Sequence, residues 1–153
     1  MNKDNLTVVI CSSTAFYKHV NAVAVELEKA GVTAVVPKNA EWVAKRDDYN
    51  VSFYKTWHDD ESQYHKKAEY MREHFDKITE GDIVLIVNDE KYGQANYIGP
   101  NVLMEMSLGW YQNKPLYILN DLPADSPFEE EIKGFMPIVL NGDLSPLIVA
   151  TKR

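Results

Sequence analysis

The sequence predicts an α/β fold with a doubly wound, parallel five-stranded sheet of the flavodoxin-like or Rossmann-like type, strand order 2-1-3-4-5, and helices on both faces. Short apolar runs rich in Val, Ile and Leu alternate along the chain with longer segments of helical periodicity. Strands that are apolar without alternation are typical of a parallel sheet covered on both faces. In this order strands one and three are neighbours, and the crevice at their C-terminal ends is the expected ligand site.

Each predicted strand is a short apolar run, and each predicted helix has its own signals. The strands cover residues 6–12, 32–36, 83–87, 116–119 and, more weakly, 137–140. The helices cover residues 15–30, 61–79, 100–113 and 128–133. Gly31 ends the first helix, and Pro100 suits the first turn of the third. The second is amphipathic, because apolar residues recur at helical spacing from Tyr64 to Ile78.

Residues 38–60 are less regular and combine aromatic with basic side chains. A connection of this length is usually a lid, a binding loop or an interface. The other possibility is an extra helix packed on the body of the domain. The sequence does not separate these alternatives.

Composition and charge restrict the function. The chain has 153 residues and a formal charge of −7 with no basic tract, which argues against a nucleic-acid partner. No apolar run approaches the ~20 residues that cross a bilayer, and the first residues hold no signal-peptide core. A single cysteine excludes an intramolecular disulfide framework and indicates a reducing compartment. We expect one domain over residues 1–153, in the cytoplasm, with neither nucleic acid nor membrane as partner.

Common cofactor and metal motifs do not occur. No Gly-x-Gly-x-x-Gly follows the first strand, and there is no Gly-Lys-Ser/Thr P-loop. Cys11 has the place of a phosphatase nucleophile, but Tyr17 stands where such a loop needs Arg, which favours a small buried hydrophobic residue. The histidines form no metal-binding pair. We therefore expect neither a cofactor nor a metal.

One carboxylate stands in an otherwise apolar helix. Glu105 is the only ionisable group of residues 102–110, and burying an unpaired carboxylate is costly. A functional glutamate and a structural one bonded to backbone N–H groups fit this position equally well. Asn101, one turn earlier, could orient the carboxylate, and Gly109, one turn later, permits close approach of a backbone or a ligand.

The loops after strands one and three carry the candidate substrate-binding residues. Ser12, Ser13 and Thr14 could bind a phosphate or a sugar hydroxyl at the start of the first helix, or could cap that helix. Aromatic residues in the second loop could stack on a base or lie at an interface, and its density of Asn and Gly favours ligand contact. The candidates there are Asn88, Tyr92, Tyr97, Gly99 and Asn101.

The stretch of residues 82–119 resembles the nucleoside 2-deoxyribosyltransferase superfamily, which includes the deoxynucleoside 5′-monophosphate N-glycosidases. The resemblance rests on Asp-Ile-Val-Leu-Ile-Val, a Gly-containing loop, Glu105 in an apolar helix, and Lys-Pro-Leu-Tyr-Ile-Leu. The Cys-Ser-Ser loop after strand one is similar to the family's Gly/Ser-rich loop. The resemblance implies a nucleoside 2-deoxyribosyltransferase-like domain that cleaves an N-glycosidic bond, by hydrolysis or transfer, with Glu105 as the nucleophile.

This chain departs from the family pattern at three positions. Ser107 replaces the usual Gly and Gly109 the usual Ala, and both positions remain small. His74 falls where the family has its second acid, an Asp. Either His74 takes a protonating or orienting role, for which an ordinary pKa of ~6.5 is suited, or Asp59 or Asp60 does, or activity is lost. His74 also borders the apolar stripe of its helix and could simply pack there.

Two functions therefore remain open. One is an enzyme that cleaves a nucleoside or nucleoside 5′-monophosphate, and the other is a catalytically inactive nucleotide-binding module that acts as a sensor or partner protein. We also expect a homodimer or higher homo-oligomer. The aromatic residues of 38–60 and the pair Trp110 and Tyr111 are typical of interfaces, and the resemblance implies active sites close to subunit contacts.

Overall fold

The sheet confirms the predicted fold class and strand order. A computed structural model describes residues 5–152. Within them, parallel strands lie in the order β2-β1-β3-β4-β5. Their bounds are β1 Thr7–Ser12, β2 Thr33–Val35, β3 Ile83–Val87, β4 Leu116–Ile118 and β5 Ile138–Val139. Because β1 and β3 are neighbours, the loops that follow them lie side by side.

Helices cover both faces of this sheet. Their bounds are α1 Tyr17–Lys29, α2 Lys38–Arg46, α3 Tyr64–Glu80, α4 Pro100–Tyr111, α5 Glu129–Gly134 and α6 Ser145–Thr151. The sequence analysis did not predict α6. Residues 38–60 begin with an extra helix, α2, one of the alternatives above, and continue in short 3-10 turns. None of the described helices is long and apolar enough to cross a membrane.

Alternation along β1 decides which side chains meet which helices. Val8 and Ile10 belong to a core shared with α1, α2 and α6. Val9 and Cys11 belong to the opposite core, which α3, α4 and α5 cover. Successive residues of a strand point to opposite faces, so the thiol of Cys11 lies on the side of α3 and α4.

The nearly continuous apolar sequence of residues 102–111 predicts a buried helix, and this prediction is wrong for one side of α4. Met104, Trp110 and Tyr111 are exposed, the last to 79%, because a helix on one face of a sheet covers only part of its circumference. Gly109 faces the strands instead, where a Cβ would lie 2.9 Å from Val84 Cγ2. The close approach that Gly109 permits is therefore to β3, and no ligand contact is involved.

Candidate active site

A cavity of about 250 Å3 lies at the C-terminal ends of β1 and β3. Its walls come from the β1–α1 loop, the turns after α2, α3, the β3–α4 loop and the start of α4. Most candidates from the sequence line it: Ser12, Ser13, Thr14, His74, Tyr97, Gly99, Asn101 and Glu105. The topological switch point thus holds the cavity, where open α/β sheets bind ligands.

Two candidates lie outside this cavity. Asn88 is fully buried, donates to the Asp121 carbonyl oxygen at 2.8 Å, and accepts from the Asn120 N–H at 3.0 Å. These bonds join the ends of β3 and β4. Tyr92 is 85% exposed and packs edge-on against Tyr97.

His74 and Glu105 line the floor of the cavity, and Cys11, which is buried out of contact with the cavity, lies beside them. Nε2 of His74 lies 3.4 Å from Cys11 Sγ and 4.0 Å from Glu105 Oε2. The side chains of His74 and Glu105 are only 7% and 13% exposed, and Cys11 is fully buried. The sequence had given Cys11 no role, because its partners lie on α3 and α4, far along the chain.

The pKa of each ionisable group at the floor is shifted toward its neutral form. Burial raises the pKa of Glu105 to about 8, and the nearby Cys11 thiol opposes part of that shift. Burial, and then the charge of Lys77, lower the pKa of His74 to about 4. Burial and the neighbouring Glu105 also raise the pKa of the Cys11 thiol. At neutral pH His74 is therefore a neutral imidazole, without the minor fraction of imidazolium that a pKa of ~6.5 would give.

The other acids and amides proposed to assist Glu105 do not reach it. Glu105 Oε2 has no hydrogen-bond partner among the described residues. Asn101 is exposed at the mouth of the cavity. Asp59 and Asp60 are exposed, and the Asp60 carboxylate accepts from its own turn at Ser62. Among the candidates proposed to assist Glu105, His74 is the one whose ring lies beside its carboxylate.

The rim of the cavity has the opposite character. Lys55 donates from Nζ to Thr14 Oγ1 at 2.9 Å, and Lys91 donates from Nζ to Ser13 Oγ at 2.8 Å. Neither hydroxyl caps the turn or helix that follows β1. Of the two roles proposed for these hydroxyls, capping is therefore not seen, and both face ammonium groups instead.

Positive charge gathers at this rim although the chain carries −7 overall. Lys67 joins Lys55 and Lys91 in lining the cavity, and within residues 5–152 none of the three lies within salt-bridge distance of a carboxylate. Burial, followed by the charges of Lys91 and Lys67, lowers the pKa of Lys55. Mutual repulsion of this kind is relieved by a bound anion.

The turns after α2 form the wall that carries Lys55. Tyr54 and Trp57 are buried on either side of it, and both pack against the ring of Tyr70 on α3. Most aromatic residues of 38–60 thus hold this wall against the body. The position of Lys55 at the cavity could not be predicted from the sequence, because its partner Thr14 lies 41 residues earlier.

Comparison with known proteins agrees with this fold. No protein-family model matches the chain, and no curated protein sequence matches it. Among solved structures, the chain is similar to a 2-deoxyribosyltransferase from the psychrotolerant bacterium Bacillus psychrosaccharolyticus, described as a biocatalyst for nucleoside synthesis. The two share 15% identity with a TM-score of 0.50, over 73% of this chain and 70% of that one. The fold and cavity define an α/β protein with a cavity at the switch point of its sheet, and the likeness extends to the fold alone.

Proposed function

We propose that this chain cleaves the N-glycosidic bond of a nucleoside 5′-monophosphate, as an N-glycosidase or a deoxyribosyltransferase. One observation carries the proposal: a buried carboxylate, Glu105, lies at the floor of a cavity whose rim presents two lysines that donate to hydroxyls of the β1–α1 loop. Cleavage of a glycosidic bond develops positive charge on the sugar, which a carboxylate stabilises or captures. A phosphate is the natural partner of the rim.

In this mechanism the ionised carboxylate of Glu105 forms a bond to C1′ of the sugar while the bond from C1′ to the base nitrogen breaks. The electron pair of that bond leaves with the base, which takes up a proton from solvent, and the incoming water or base nitrogen later returns a proton to solvent. Water, or the nitrogen of a second base, then attacks C1′ and releases Glu105. Hydrolysis and transfer differ only in this second acceptor.

His74 has a positioning role in this mechanism. Its low pKa leaves no imidazolium to donate a proton near neutral pH. Its Nε2 lies 3.4 Å from Cys11 Sγ and 4.0 Å from Glu105 Oε2, so in this mechanism the ring orients the carboxylate.

The alternative is a nucleotide-binding module without chemistry. The pKa of about 8 for Glu105 favours it, because most of the carboxyl is protonated near neutral pH. Binding of the sugar would have to favour the ionised form for attack to occur.

The test is incubation with a panel of nucleosides and their 5′-monophosphates, in the presence of a chelator, while free base is measured. Wild type is expected to release base from monophosphates. Glu105→Gln, which keeps size and polarity, is expected to lose on the order of 10³-fold or more, as removal of a nucleophile does. Tight monophosphate binding without base release by wild type would establish the binding module instead.

We further propose that the chain forms a homodimer or higher homo-oligomer through the exposed end of α4. Trp110 and Tyr111 are 52% and 79% exposed there, and such aromatic residues are typical interface anchors. Light scattering over a dilution series tests this, with a monomer mass at every micromolar concentration as the contrary result.

A further inference from the structure

The floor of the cavity also has the composition of a metal site. Cys11, His74 and Glu105 each offer one ligand atom, and these atoms all lie within 4.8 Å of one another. They come from β1, α3 and α4, so the packing of two helices on the sheet fixes their relative positions. The absence of a metal-binding motif in the sequence has no bearing here, because Cys11 and His74 lie 63 residues apart.

The distances approach those of a tetrahedral zinc site. Bonds of about 2.3 Å to sulfur and about 2.0–2.1 Å to nitrogen place the two ligand atoms about 3.5 Å apart. The distance from Cys11 Sγ to His74 Nε2 is 3.4 Å. The distance from His74 Nε2 to Glu105 Oε2 is 4.0 Å, and a tetrahedral site needs about 3.4 Å. Metal binding therefore requires the Glu105 carboxylate to move toward His74 by about 0.6 Å.

The donor set and its surroundings select the kind of metal. Sulfur and imidazole nitrogen favour zinc-like cations, whereas magnesium and calcium prefer oxygen. His74 and Glu105 line the cavity, which gives an entry path, and Glu105 Oε2 has no other partner among the described residues. Three protein ligands leave a fourth position open, as in catalytic zinc sites.

We infer that Cys11 Sγ, His74 Nε2 and Glu105 Oε2 bind a zinc-like divalent cation, with its fourth position toward the cavity. The cation displaces the proton of the Cys11 thiol and that of the Glu105 carboxyl wherever it is present, and both protons pass to solvent. Two anionic ligands then balance the charge of the cation in this buried place.

This inference stands apart from the proposed function, although both use Glu105. A carboxylate that binds the cation cannot attack C1′, so the metal-loaded protein is expected to release no base. Metal binding is measured without any nucleotide, and base release is measured with a chelator. If one of these two measurements contradicts its proposal, the other measurement still tests the other proposal.

The test is titration of the chelator-treated protein with Co2+, and then with Zn2+ as competitor. Because the chain has a single cysteine, a thiolate-to-cobalt charge-transfer band in the near ultraviolet must come from Cys11. We expect that band, together with the intense visible bands of tetrahedral cobalt, and loss of both on addition of Zn2+. Cys11→Ala should abolish the charge-transfer band, and His74→Ala and Glu105→Gln should each weaken binding by roughly 100-fold.

His19→Ala is the matched control, because His19 pairs with Asp89 at an exposed site 2.7 Å apart that could itself attract a metal. It should leave the band unchanged. X-ray absorption of zinc-loaded wild type provides a measurement that needs no variant, with one sulfur expected at about 2.3 Å. Absence of sulfur from the zinc shell, absence of the cobalt band, or a band unaltered in both His74→Ala and Glu105→Gln would each overturn the inference.

Discussion

The floor and the rim of the cavity differ in whether their ionisable groups carry charge near pH 7. At the floor, burial keeps Cys11, His74 and Glu105 neutral near pH 7. At the rim, the half-buried Lys55 and Lys91 stay close together, each held by a hydroxyl of the β1–α1 loop. A desolvated group is costly to ionise unless an opposite charge lies beside it. A partly solvated lysine keeps its charge and can attract an anion.

This difference assigns separate tasks to the two regions. Under the proposed function the rim recognises an anion, and the floor supplies a carboxylate whose charge becomes favourable once positive charge develops beside it. Variants at the rim should therefore change discrimination between substrates. Variants at the floor should change the pH dependence of catalysis and of stability.

The largest expected effect follows from removing the two lysines of the rim. The double variant Lys55→Met/Lys91→Met should lower kcat/KM for a nucleoside monophosphate on the order of 10³-fold, because two charge-assisted hydrogen bonds of about 1.5–3 kcal/mol each are lost. The corresponding nucleoside should change less than about threefold. Lys18→Met, at an exposed site on α1, is the control. Equal losses for both substrates would mean that the lysines support the wall and recognise no phosphate.

The second prediction concerns the pH dependence of the floor. Because Glu105 must lose its proton to attack, kcat/KM should rise roughly 50-fold from pH 6 to pH 8 and then level off, given a pKa of about 8. His74→Asn should keep this limb, since the pKa of His74 lies near 4. A limb centred near pH 6.5 that disappears in His74→Asn would instead identify the histidine as the titrating group.

Much of the fold could be predicted from the sequence, because a buried parallel strand is apolar throughout and the runs at residues 83–87 and 116–119 have no other interpretation. The exposed side of α4 could not be predicted, because the helix is apolar even where Trp110 and Tyr111 face outward. The short α6 gave too few turns of periodicity to be recognised.

The candidate site was predictable where its residues follow strands. The loop Ser12–Thr14 was found in this way, whereas Glu105 was found as the only ionisable group of an otherwise apolar helix. Lys55 was not, because only the packing of Tyr54 and Trp57 on α3 brings it back to Thr14. Cys11 was passed over for a related reason: its chemistry depends on neighbours from α3 and α4 that no local pattern reveals.

The third prediction measures the cost of burying Glu105 in the folded state. An unfolded glutamate loses its proton near 4.5, whereas folded Glu105 keeps it to about 8. Between these values the folded state binds more protons than the unfolded state, so the free energy of unfolding falls as pH rises. Glu105→Gln has no carboxyl at this position, so its free energy of unfolding lacks this contribution to the fall. Its stability relative to wild type should grow from pH 4.5 to pH 8, by about 4 kcal/mol.

Urea denaturation of both proteins at several pH values in the presence of a chelator tests this. Glu28→Gln, on the exposed face of α1, is the control and should differ from wild type by the same amount at every pH. A constant difference for Glu105→Gln as well would show that the carboxyl is solvated in the folded state.

The smallest expected effect distinguishes Tyr97 from Tyr92, the two tyrosines of the β3–α4 loop. Tyr97 lines the cavity, and Lys91 Nζ lies 5.2 Å from its ring centre. Tyr92 is 85% exposed, and its ring lies outside the cavity. Tyr97→Ala should weaken monophosphate binding by about tenfold, the value of one aromatic contact, while Tyr92→Ala should change it less than about twofold. Calorimetric titration of both variants measures the difference. A larger loss for Tyr92→Ala would mean that the bound nucleotide extends beyond this cavity, over the β3–α4 loop.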